Sequence, residues 1–125
     1  MMEINKFFKS IIEQDTAAVV ICDTAHRIVY MNPAAIASYH AYGGANLVGK
    51  SLLCCHNDRS ADAIRRVVAW FAASPEHTRV HTFFNEKQQK DVYMVALRDD
   101  DGNLIGYYEK HEYRAKDDTP FYVMP

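Results

Sequence analysis

No stretch of this sequence stays apolar for the roughly 18 residues that a helical membrane span needs. The opening MMEINKFFKSIIEQ has neither the apolar block nor the small-residue cleavage site of a signal peptide, so the chain is expected in the cytoplasm. An excess of one charge is also missing. The 14 Lys and Arg nearly balance the 16 Asp and Glu, for a net charge of -2, which argues against the basic face that a nucleic-acid backbone requires. Cysteine is scarce as well. Of the three, Cys54 and Cys55 are adjacent and poorly placed to bridge each other, and no CxxC spacing occurs. A structural zinc or iron–sulfur site is therefore not expected from these residues, and free thiols are.

What is present suits a single domain with its own core: 125 residues, 49% of them hydrophobic and 12% aromatic. Near the N-terminus, Ile4, Phe7, Phe8, Ile11 and Ile12 recur at the i, i+3, i+4 spacing of an amphipathic helix. Ala17 to Cys22 reads as a short buried strand, and Arg27 to Met31 alternates like a second. The intervening Asp23-Thr24-Ala25-His26 suits a tight turn, because an Asp side chain can bond its own backbone there. Asn32-Pro33 opens a helix, with Asn as cap and Pro at the first turn, and this helix is expected to fail near Gly43-Gly44. Asn46 to Cys55 reads as loop and short turns. Ser60 to Ala73 is a longer helix, with Ser60 as its cap and Ile64, Val67, Val68 and Phe71 on one face. Thr78 to Phe84, Asp91 to Arg98 and Leu104 to Tyr113 are three strands separated by turn-like segments. Helices gathered between two groups of strands predict an α+β fold: a five-stranded antiparallel sheet with helices on one face and an N-terminal amphipathic helix. The expected organisation is that helix over 1–14, the domain over 15–114 and a tail over 115–125.

Three motifs then occur in order. ICDTAHRIVYMNPAA carries Asp23, Tyr30, Asn32, Ala34 and Ala35 in a strand–turn–strand–helix pattern; NLVGKSL follows with Gly49; and RDDDGNLIG places Gly102 and Gly106 between two strands. This order resembles the PAS domain family, over roughly residues 5 to 114. The resemblance implies a sensory or regulatory domain that binds a small ligand or a partner protein and signals through a dimer or another protein contact. It gives no reason to expect an enzyme. There are departures. His26 replaces a glycine usual in the first turn, and Glu112-Tyr113-Arg114 stands where the family often has D-I-T before an effector. With no effector module in the sequence, output is expected to pass through a partner chain or self-association. LLCCHNDRSADAI is also similar to a bacterial subset with a Cys-His pair before the long helix.

Ligand candidates follow from that frame: Cys54, Cys55 and His56 before the long helix, Trp70 on it, and Tyr93 and Tyr107 on the late strands, whose hydroxyls could orient a polar molecule in an apolar setting. Each also has a plainer role, since free cysteine is among the most buried residue types and strand aromatics commonly pack across a sheet. A haem with His56 as axial ligand is one reading. A photoactive flavin is disfavoured, because Leu52 stands where the flavin-binding branch of the family has its reactive cysteine. Alternation places His81 with Arg79 and Phe83 on one side of its strand, with Val80, Thr82 and Phe84 on the other. The stripe Ile4, Phe7, Phe8, Ile11 and Ile12 is expected to form a homodimer surface. Two further readings are a ligand-free interaction module and a small thiol enzyme using Cys54 or Cys55.

Overall fold

The computed structural model describes residues 3–124, leaving aside the side chain of Cys55. Its elements in order are α1 (Ile4–Glu13), β1 (Val20–Asp23), β2 (Ile28–Met31), α2 (Pro33–Ser38), α3 (Asp58–Ala73), β3 (Arg79–Asn85), β4 (Lys90–Arg98) and β5 (Leu104–Tyr113). The strands form one five-stranded sheet in the order β2-β1-β5-β4-β3, each neighbouring pair antiparallel. Register aligns Met31, Val20, Glu109, Met94 and Val80 across the sheet on its inner face. Tyr30, Ile21, Tyr108, Val95 and Arg79 run across the outer face. The core lies between the inner face and the helices, and includes Val20, Cys22, Ile28, Met94 and Tyr107 from the sheet and Ile64, Val68 and Phe71 from α3.

Asn32 organises the N-terminal half. It is fully buried, and its Oδ1 accepts from Ala35 N–H, capping α2, and from Val19 N–H, both at 2.9 Å. Its Nδ2 donates to the carbonyls of Ile12 and Ala17, each at 3.0 Å. One amide thus ties the end of α1, the approach to β1 and the start of α2 together. Tyr30 reaches the same place by donating to the Glu13 carboxylate. Because Ala17 and Val19 spend hydrogen bonds on Asn32, β1 starts at Val20 rather than at Ala17. The helix after Asn32 also ends early, at Ser38, and the chain continues in 3-10 turns over His40–Tyr42 and Gly44–Leu47.

The long helix begins before Ser60. Asn57 is its cap, accepting from Ser60 N–H at 2.8 Å, and Asp58 adds negative charge to the first turn, where exposed N–H groups favour it. Its far end is closed from the sheet: Arg98 donates to the carbonyls of Phe71 (2.7 Å), Ser74 (3.0 Å) and His77 (3.2 Å). A guanidinium at the negative end of a helix dipole satisfies carbonyls that have no partner within the helix.

Strand β3 departs from simple alternation. A bulge between His81 and Phe83 leaves Thr82 unpaired in the register, so His81 stands opposite Tyr93 while Phe83 stands opposite Val92. Phe83 therefore shares the inner face with Val80. Phe84 joins His81 and Arg79 on the outer face, where the Arg114 guanidinium lies 4.1 Å from its ring centroid. An extra residue in one strand reverses the facing of all that follow it.

Candidate functional site

Between α3 and the inner face of β3, β4 and β5 lies a cavity of about 430 Å³, within the size range of small-molecule sites. Ile64 and Val67 of α3 form one wall, and Phe83, Val92 and Met94 form the other. Beside these apolar walls the sheet delivers three ionisable side chains: Lys90 at the start of β4, and Glu109 and His111 on β5. Tyr39, His56 and Asn85 also line it.

These three groups are unusual in how little they bond. Lys90 is only 8% exposed, and burial lowers its pKa below the ordinary lysine value while the Glu109 charge opposes that shift. Among the described residues, Lys90 and Glu109 form no close ion pair. Glu109 accepts a long hydrogen bond from the Tyr39 hydroxyl at 3.4 Å. The side chain of His111 is 7% exposed, with both ring nitrogens buried and without a hydrogen-bond partner. Its Nε2 stands 3.8 Å from Glu109 Oε2, beyond hydrogen-bond reach. Leaving polar groups in this condition is costly, so they mark a place where a bound molecule has something to gain.

The residues singled out in the sequence are scattered around this site. His56 lines it, and its Nδ1 lies 2.9 Å from the Leu52 carbonyl oxygen. A carbonyl only accepts, so Nδ1 carries the proton and Nε2 keeps a lone pair in the neutral ring. Cys54 is exposed and does not line the cavity, and the Cys55 side chain lies outside the described residues. Trp70 is 43% exposed and stacks on His77, with ring centroids 3.8 Å apart and planes 3° from parallel. Tyr93 faces the outer side of the sheet, stacked with His81 and under the Arg79 guanidinium at 3.9 Å. Tyr107 is buried in the core, its hydroxyl 3.0 Å from His26 Nδ1, and burial pushes its pKa well up.

Lys90, Glu109 and His111 carried a faint signal that single-residue reading missed. Alternation along β5 puts Tyr107, Glu109 and His111 on one face, but only the pairing with β4 brings Lys90 to them. Two charges on a core-facing side are the exception that points to a site.

A family model of the PAS fold matches residues 12–110. The chain belongs to the PAS family. Its fold is that of PAS sensor domains, which typically signal and are generally not catalytic. Similar solved structures include a C-terminal domain from Streptococcus mutans (18% identity, TM-score 0.68, covering 90% of this chain and 85% of that one). A PAS domain from Colwellia psychrerythraea follows (13% identity, TM-score 0.67, 89% and 97%). The Aer2 receptor of Vibrio cholerae, described as a dual PAS-heme oxygen sensor, matches at 20% identity with a TM-score of 0.58 over 77% and 92%. At these identities the likeness is one of fold. No curated protein matches the chain. Among the described residues of this PAS domain, no helix is long and apolar enough to cross a membrane, and no cluster of three or more His, Cys, Asp or Glu side chains is arranged to hold a metal ion.

Proposed function

We propose that this PAS domain is a sensor that binds a small molecule in the cavity between α3 and the sheet, and that occupancy changes its contact with a second copy or a partner chain. The observation that supports this is a cavity with one apolar face into which Lys90, Glu109 and His111 project, the two His111 ring nitrogens buried without a partner. An empty interaction module has no use for charges on its core-facing side, and apolar residues there would be more stable. A ligand with differential affinity for two arrangements shifts the balance between them, which is all a sensor requires.

The output surface in this reading is α1. Ile4, Phe7, Phe8 and Ile11 are 59%, 50%, 54% and 70% exposed, and α1 buries none of its residues fully. A contiguous apolar stripe of this kind is a docking surface, and a matching α1 from a second copy covers it with like residues. Phe7→Glu is expected to turn a dimer into a monomer by multi-angle light scattering. It leaves in place the contacts that Ile12 and Glu13 make with Asn32 and Tyr30.

The ligand reading is tested by native mass spectrometry of the purified chain together with amide NMR spectra titrated with a small-molecule library. A bound mass, or shifts centred on residues 90, 92, 94, 109 and 111, is the expected result. A chain that carries nothing and shows no shifts there with any compound would be an interaction module without a ligand.

One observation favours a second reading. The proton on His56 Nδ1, held by Leu52, leaves Nε2 as an available donor atom in the cavity wall, the arrangement in which imidazole binds iron well. His56 would hold a haem, which supplies gas binding or redox chemistry. A Soret band after reconstitution that is lost in His56→Ala supports it, and no band removes it.

A further inference from the structure

We propose that the cavity takes a small zwitterion of the α-amino acid type with an apolar side chain, its carboxylate on Lys90, its ammonium between Glu109 and His111, and its side chain against Val67 and Val92. This rests on the reading of the cavity as a ligand site and names the chemistry of what fills it.

The argument starts from charge. Lys90 and Glu109 bring one positive and one negative charge into the same enclosure, yet do not close on each other as an ion pair. Each charge is therefore open to an opposite partner on a bound molecule. A net anion would satisfy Lys90 and leave Glu109 facing added negative charge. A net cation would satisfy Glu109 and repel Lys90. A neutral apolar molecule would desolvate both further and satisfy neither. A zwitterion meets both with ionic partners while keeping the charge balanced, and charge-assisted hydrogen bonds of this kind are about twice as strong as those a neutral polar molecule would make.

His111 adds an independent observation. Its ring is more than nine-tenths buried, both nitrogens lack partners, and it stands beside Glu109. A primary ammonium has three donors, so it can serve the Glu109 carboxylate and an imidazole nitrogen together. Ile64, Val67, Phe83, Val92 and Met94 give the cavity an apolar face that suits a branched or aromatic side chain, while Ser60, Thr82 and Asn85 make the rest of its lining polar. A single lysine is too little positive charge for a phosphorylated ligand, which carries nearly two negative charges.

The test compares matched compounds on the full chain by calorimetry and amide NMR. L-Leucine is set against 4-methylpentanoate, which lacks the amino group, and 3-methylbutylamine, which lacks the carboxylate. L-Phenylalanine is set against 3-phenylpropionate and phenethylamine. At least one amino acid is expected to bind about tenfold or more tighter than both of its counterparts. Glu109→Gln should reverse the order in favour of the acid, and Lys90→Met in favour of the amine. If a variant fails to fold, the wild-type comparison decides alone. Equal binding of an amino acid and its acid overturns the proposal, since the ammonium would then go unrecognised. Binding of some other library compound, but of neither amino acid, overturns the zwitterion and leaves the ligand site standing. No binding by any compound, with a chain that carries nothing in native mass spectrometry, overturns both.

Discussion

Arg114 closes on Asp91 with two parallel hydrogen bonds, Nε to Oδ2 and Nη2 to Oδ1, each 2.7 Å. The Asp91 side chain is 9% exposed and also meets His81 Nε2 at 2.8 Å, so β3, β4 and the exit from β5 are joined at one point on the outer face. Lys90, next to Asp91 on β4, faces the cavity on the other side. A change at Lys90 is therefore one residue from the clamp that fixes where the C-terminal segment leaves the sheet.

Arg114→Lys is expected to weaken the clamp, because an ammonium cannot reproduce the two-pronged geometry. Thermal unfolding should shift down, and the amides of residues 111–114 should exchange faster with solvent. The hydrogen bonds from Arg114 hold the Asp91 carboxyl below its ordinary value of 3.8. A depressed acid contributes stability that is present above the unfolded value and lost as pH falls through the folded one. The wild type should therefore lose stability below about pH 3.8, and Asp91→Asn should flatten that part of the curve. An unchanged acid limb in Asp91→Asn would show that the clamp is not the group responsible.

Asn32→Ala should be among the most damaging single changes outside the cavity. It removes the cap of α2 and leaves Val19 N–H and the carbonyls of Ile12 and Ala17 without their partner. A loss of about 3 kcal/mol or more in denaturant unfolding is expected. Asn32→Asp keeps the acceptor but loses the donor, so it should rescue only part of the loss.

Gly106→Ala tests a close backbone approach. A Cβ at this position would lie 2.1 Å from the carbonyl oxygen of Cys22 on β1, so β5 and β1 could not keep their spacing. Destabilisation of about 3 kcal/mol or more is expected. Gly102→Ala, in the open hairpin turn at φ 84, should cost only about 1 kcal/mol, for the backbone conformation alone. Similar losses in the two variants would contradict the packing argument.

His26 holds a left-handed backbone, φ 67, at the position where the family usually has a glycine, while its ring reaches Tyr107. His26→Ala should be less stable than His26→Gly by about 1 kcal/mol, since alanine keeps the backbone cost without the ring contact. Burial, with help from the Arg65 charge and against Asp23, lowers the His26 pKa below 6.5. Between those two pKa values the unfolded chain binds more protons than the folded one. Stability should therefore fall as pH drops below 6.5 and level off once the folded histidine is protonated. Urea midpoints of His26→Asn should lack that component; the same slope in both proteins would remove the assignment.

Local sequence determined much of this protein: the Asp23 turn, the Asn32 cap with Pro33 behind it, the stripe of α1, the apolar face of α3 and the three late strands. Each depends on residues within a turn or two of one another, where spacing and turn chemistry suffice. Tertiary structure decided the rest. Asn57 rather than Ser60 caps α3, because two capping residues lay close together and both offered a side-chain oxygen. One bulged residue sent Phe83 inward and Phe84 outward against the alternation. Arg98 closes α3 across 21 to 27 residues of chain. Tyr93 and Lys90 lie three residues apart on the same strand and face opposite sides of the sheet. Lys90 meets Glu109 and His111 only through the register of β4 with β5, a pairing between residues about 20 apart that no local pattern in the chain encodes.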